Sequence, residues 1–136
     1  MDLWGKSMLS TQRASAMKPA TRALVAFIAG ELILRRGFTK IFDYSNGQSY
    51  SYKTRITEYD VEIEDPVRGT TLMAGGAFGK HFSLTHNAEQ ALVEINIAGK
   101  NFDGEHAKGP HFKGWVKDKL VTLKEGSDQF VFGLMN

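Results

Sequence analysis

The sequence predicts a mainly β protein: an antiparallel sandwich or barrel of about eight short strands, with an N-terminal arm and one helix. Three observations carry this expectation. From Phe38 onward, apolar residues fall at alternate positions in short runs. Turn-forming groups such as Ser45-Asn46-Gly47, Asp65-Pro66 and Gly75-Gly76 separate those runs. The chain of 136 residues, 42% hydrophobic and 24% charged, fits a single domain that buries a core unaided. It has no cysteine, which excludes disulfides, thiolate zinc sites and cysteine nucleophiles.

Residues 1–18 are polar, basic and rich in serine, and read as an N-terminal arm; residues 19–136 read as the single β-rich domain. Residues 19–36 predict a helix. Pro19 suits the first helical position, Gly37 the residue past the end, and Arg35 and Arg36 the last turn, where cations complement the helix dipole. Glu31 and Arg35 stand four apart in the favourable order. The alternative is a hairpin turning at Ala29-Gly30, because apolar residues surround the helical wheel and periodicity does not choose between the two. The apolar run from Ala23 to Leu34 is too short to span a membrane. It contains Glu31 and lacks a cleavage site after it, so it reads as core.

The strands follow. Residues 38–44 and 48–56 flank the hairpin turn Ser45-Asn46-Gly47. Residues 59–64 alternate cleanly, with Tyr59, Val61 and Ile63 on one face and Asp60, Glu62 and Glu64 on the other. A tight connection through Thr57-Glu58 would set Thr54 opposite Val61, Arg55 opposite Asp60 and Lys53 opposite Glu62, making both faces complementary. Thr-Glu is poor turn chemistry, so a continuous bent strand is the alternative. Residues 70–74 predict a short strand ending before Gly75-Gly76. Further strands fall at 78–86, 91–97, 115–117, 120–124 and 129–134.

Residues 99–114 do not read as strand. Gly99, Gly104, Gly109 and Gly114 recur every five residues, with lysines, phenylalanines and histidines between them. A long excursion of this kind inside a compact domain is often functional. The candidate interface or ligand residues are therefore Lys100, Phe102, His106, Lys108, His111, Phe112, Lys113 and Trp115. Aromatics mixed with lysines suit single-stranded nucleic acid and protein interfaces alike.

No catalytic or metal assignment follows from motifs. His106 and His111 have a spacing that metal pairs use, with Asp103 and Glu105 nearby, but a loop without a fixed face does not aim ligands. His81-Phe82-Ser83 resembles half of the paired His-x-Ser/Thr signature of the two-histidine phosphoesterases. The second half is missing, since His111-Phe112-Lys113 lacks the hydroxyl. Gly79-Lys80 is followed by His81 and fails the phosphate-loop pattern. Asp60, Glu62 and Glu64 stand in a row and do not converge as calcium ligands do.

The charges are segregated. Residues 1–57 hold nine Lys or Arg against three acids, residues 58–65 hold five acids and no base, and residues 100–124 hold six Lys against three acids. This layout suits copies meeting one another. The expected function is a non-enzymatic structural subunit of a larger homo- or hetero-oligomeric assembly, such as a virion shell, tail or tube component, in the cytoplasm or a virion and without a cofactor. The alternative is a nucleic-acid-binding β-domain, or a metal-independent ribonuclease, using residues 100–119. A third reading is a small-molecule-binding barrel, whose mark is a large apolar cavity.

Overall fold

The computed structural model describes residues 16–57 and 59–136. These hold one α-helix, α1 (Pro19–Leu34), and eleven strands. The strands are β1 (Lys40–Asp43), β2 (Gln48–Ser51), β3 (Lys53–Ile56), β4 (Asp60–Glu64), β5 (Thr71–Phe78) and β6 (His81–His86). They continue as β7 (Ala91–Ala98), β8 (Asn101–His106), β9 (His111–Lys117), β10 (Leu120–Glu125) and β11 (Asp128–Met135). All pair antiparallel in one sheet of order β2-β1-β11-β10-β9-β8-β7-β6-β5-β4-β3. The two edge strands, β2 and β3, are separated by Tyr52 alone. One stretch of backbone therefore pairs with β1 through its first half and with β4 through its second. The sheet is nearly closed into a barrel.

Helix α1 lies inside this wall. Every residue from Thr21 to Glu31 is buried, and the helix packs on β1, β7, β10 and β11. A helix on a surface keeps one polar face; one enclosed on all sides is apolar all round. That explains why the helical wheel showed no preferred side. Its 16 residues span about 24 Å, close to the rise of the longest strands. Gly30 lets the helix approach the wall, because a Cβ there would lie 2.6 Å from Leu134 Cδ1 and 3.1 Å from Val121 Cγ2. The core is one cluster, built from α1 and the inward positions of the strands, among them Ile41, Ile63, Leu84, Ile95, Leu123 and Phe132.

The helix ends two residues earlier than the sequence suggests. Arg35 takes the left-handed conformation (φ 56°) and caps it, so neither arginine lies in the last turn. Glu31 does not pair with Arg35. Its carboxylate turns inward and accepts the Phe38 N–H at 2.7 Å. Most of the arm expected over 1–18 lies outside the described residues. Its end is tied to the domain: Met17 is buried, its N–H reaches Glu125 Oε1 at 3.4 Å, and its carbonyl accepts from Arg22 at 2.9 Å.

The strand count is eleven rather than about eight: residues 48–56 divide at Tyr52 into two strands, and residues 99–114 are not an excursion. They form the hairpin of β8 and β9. The inward positions of β8 are Phe102, Gly104 and His106, an alternation hidden by the glycine and the histidine. Across the pair, Phe102 faces Gly114 and Phe112 faces Gly104, so each glycine is covered by a ring. Glycine weakens a strand unless a neighbour fills its space, and here the aromatics do so.

Two further expectations are corrected. The strand ending before Gly75-Gly76 continues to Phe78, and Gly79 (φ 65°) with Lys80 forms a two-residue hairpin turn to β6. Phe78 is thus exposed and does not share a face with Phe82. The β3–β4 pair has the expected faces but a register shifted by two: Thr54 faces Ile63, Arg55 faces Glu62 and Lys53 faces Glu64. The connection closes from the Thr57 N–H to the Asp60 carbonyl, a wider turn than Thr57-Glu58 alone.

Candidate functional site

The antiparallel meander places alternate turns at opposite ends of the barrel, and α1 gives each end its chemistry. At the C-terminal end of α1 the barrel mouth holds a cavity of about 1020 Å³. Its walls carry Leu32 and Ile33 from the helix and Ile56, Phe82 and Ile97 from the strands. Arg35, Arg36, Arg55 and Lys80 also line it. The cations arrive because the helix exit and the β5–β6 turn both open at this end. The apolar residues are inward positions of β3, β6 and β7 that the helix stops too early to cover.

Among the described residues Glu31 is the one acid lining this cavity, and it is 3% exposed. Burial pushes its carboxyl from the usual 4.5 up to about 7, against the opposing pull of the Phe38 N–H and the Thr54 hydroxyl. Its Oε2 accepts both of those donors, Thr54 at 3.4 Å, while Oε1 is buried without a partner. A protonated carboxyl suits that arrangement, because its hydroxyl carries no charge that needs solvation.

At the N-terminal end of α1 a belt of polar groups surrounds the helix entry. Arg22 reaches Glu125 at 2.9 Å, with both side chains nearly buried, and its guanidinium stacks on Phe130 at 3.7 Å. Beside this pair, His86 ends β6, His106 ends β8, and Glu89 comes from the loop between β6 and β7. The Thr21 hydroxyl donates to Glu89 Oε2 at 2.9 Å. Burial lowers the pKa of both histidines, although the Glu89 charge acts the other way. For Glu89 burial works upward, but the Thr21 hydrogen bond and the two histidines outweigh it and hold the carboxyl below its ordinary value.

The residues singled out in the sequence divide between the two faces of the wall. Phe102, His106 and Phe112 point inward and are buried. Lys100, His111, Lys113 and Trp115 are exposed, and Lys108 sits in the β8–β9 turn with its Nζ donating to the Glu89 carbonyl at 2.8 Å. They do not form one surface, and of the three aromatics only Trp115 is available for stacking on a partner. His106 and His111 lie on opposite faces and do not converge. His111 instead sits 3.4 Å from Glu105 in a depression of about 510 Å³ on the outer wall, among Glu94, Asn96, Asp103, Lys113 and Lys124. His81 is also outside, with Nδ1 2.6 Å from Asn96 Oδ1.

Sequence reasoning missed the mouth cavity and the His86–Glu89–His106 group. A signal existed for the second: His86 continues the inward alternation of Phe82 and Leu84, and Glu89 follows three residues later across a turn. The cavity had none, because its lining comes from four separate stretches of chain. No family model, no curated protein and no solved structure matches this chain.

Proposed function

We propose that this protein is a binding barrel for an anionic amphiphile, which enters the mouth at the C-terminal end of α1. The observation that carries this reading is the pairing of four cationic side chains with five apolar ones around a single large cavity. The volume stands at the upper end of the roughly 300–1,000 Å³ usual for small-molecule sites, and barrel mouths are common places for them. An acyl or aryl body would occupy the space between Ile56, Phe82 and Ile97. A carboxylate, sulfate or phosphate head would meet the guanidinium groups, which bind such anions with paired hydrogen bonds. Below pH 7 Glu31 holds its proton and adds no negative charge to the mouth.

The test is a fluorescence titration with anilinonaphthalene sulfonate, displaced by laurate below its micelle concentration. Saturable binding with laurate competition is expected, and dodecyltrimethylammonium should compete far less. Ile97→Trp, which fills the cavity, should abolish binding while leaving the circular dichroism unchanged. Equal competition by the cationic and anionic amphiphiles would sink the proposal.

A second reading, a structural subunit of an oligomeric assembly, draws on the outer wall. Phe42, Tyr44, Trp115, Leu120 and Val131 form an apolar strip across β1, β9, β10 and β11, where Thr122 links Trp115 to Val131 and Gly133 links Leu120 to Phe42. Tyr44 is 59% exposed and Leu120 44%. Sedimentation velocity tests it: self-association should disappear in Leu120→Lys, and a monomer at every concentration removes this reading for copies of the same chain.

A further inference from the structure

We propose that His86, Glu89 and His106 form a binding site for a zinc-class divalent cation at the N-terminal end of α1, opposite the amphiphile mouth and independent of it. Three donor atoms converge there. His86 Nδ1 lies 3.4 Å from His106 Nε2 and 3.5 Å from Glu89 Oε2, and His106 Nε2 lies 3.9 Å from the same oxygen. These are long for hydrogen bonds, which cluster near 2.9 Å. The two shorter ones match the separation of about 3.3–3.5 Å between donors that share a tetrahedral zinc, and the third is about 0.4 Å longer. The circle through the three atoms has a radius of about 2.1 Å, about 0.1–0.2 Å wider than the face of a zinc tetrahedron, so a small inward shift of the side chains would seat the ion.

The donor set agrees with the geometry. Two imidazoles and one carboxylate suit zinc and its late first-row neighbours, whereas calcium and magnesium prefer oxygen alone. Both histidines are buried, at 5% and 2% exposure. Thr21 donates to Glu89 Oε2 at 2.9 Å and so fixes the carboxylate, in the way outer-shell partners orient metal ligands. The Lys108 N–H donates to His106 Nδ1 at 3.1 Å, which places the neutral proton on Nε2. Metal uptake therefore moves that proton to Nδ1 and gives up the Lys108 contact. With three protein donors, a fourth position is left for water. The ion would join β6, the β6–β7 loop and β8 around the entry of the helix.

The experiment titrates tag-free, chelator-treated full-length protein with zinc chloride by calorimetry and with cobalt chloride by visible absorption. About one equivalent of zinc should bind, the melting temperature should rise, and cobalt should give the absorption of a four-coordinate site. Glu89→Gln should weaken zinc by more than roughly tenfold, the loss that even an outer-shell partner causes. The double variant His81→Ala/His111→Ala, on the outer face, should bind as the native chain does. Should His106→Gln fail to fold, nitrogen-15 spectra of the native histidine rings settle the ligands, since zinc should shift His86 and His106 alone. The proposal is overturned if folded protein takes up no zinc. Full affinity in Glu89→Gln, or loss of binding in the outer-face variant, overturns it equally.

Discussion

Replacing Glu31 by Gln should make the protein more stable at neutral pH, and the gain should depend on pH in one direction. Gln keeps the acceptor for the Phe38 N–H and the shape of the side chain but cannot ionise. In the native chain the folded carboxyl titrates near 7 and the unfolded one near 4.5. Below 4.5 both states hold the proton and no penalty exists. As pH rises from 4.5 to 7 the unfolded state gives up its proton while the folded state keeps it, so native stability falls; above 7 the loss is complete. At about 1.4 kcal/mol per pKa unit, and allowing for water in the adjoining mouth, the loss is about 2–3 kcal/mol. Arg35, Arg36, Arg55 and Lys80 line the same cavity in both chains. His86 and His106 act in the opposite sense, since a depressed histidine pKa removes stability as pH falls. Subtracting the two curves cancels them, because both chains keep the histidines. The assay is urea unfolding of both proteins at half-unit steps from pH 4.5 to 8.5. The variant should match the native chain within about 1 kcal/mol at pH 4.5 and exceed it by about 2–3 kcal/mol at pH 8. A difference that stays constant across the range would refute the reasoning.

Other perturbations follow from the same structure. Gly104→Ala would set a Cβ 2.8 Å from Phe112 Cζ and against the Glu94 carbonyl, and should cost about 1–3 kcal/mol in denaturant unfolding. Arg22→Met leaves Glu125 without its ion partner in a nearly buried position; about 3–5 kcal/mol should be lost, much of it recovered in Arg22→Met/Glu125→Leu. By contrast, the Arg55–Glu62 pair spans 3.5 Å with Arg55 72% exposed, so Glu62→Gln should shift stability by less than about 1 kcal/mol. Leu123→Ala, at a fully buried position, should cost about 2–5 kcal/mol.

What could be read from the sequence was local. Pro19, the alternation of residues 59–64 and the Ser45-Asn46-Gly47 turn are signals whose partners lie within a few residues, and the helix start, β4 and the β1–β2 hairpin appear as expected. The β8–β9 hairpin was hidden because glycine in a strand is explained only by the ring across from it, eight or twelve residues away. The enclosure of α1 was equally hidden: an apolar wheel states that something surrounds the helix, not what. The spatial partners of the candidate residues were hidden for a related reason. His106 was noticed for its neighbours Lys108 and His111, while the groups it meets, His86 and Glu89, come from another hairpin.

The pairing of β1 with β11 carries a consequence for how the molecule forms. Residues 40–43 find one of their two neighbours only in residues 132–135, so the wall cannot be completed until nearly the whole chain is present. Helix α1 precedes all of it, and among the described residues the wall is what covers its apolar surface. On a ribosome, this apolar helix emerges before every strand that covers it. Long-range pairing of this kind makes folding slow, and it makes the last strand indispensable: removing β11 would uncover the helix rather than trim an edge. The same arrangement resists local fraying, because the earliest and latest strands hold each other in place.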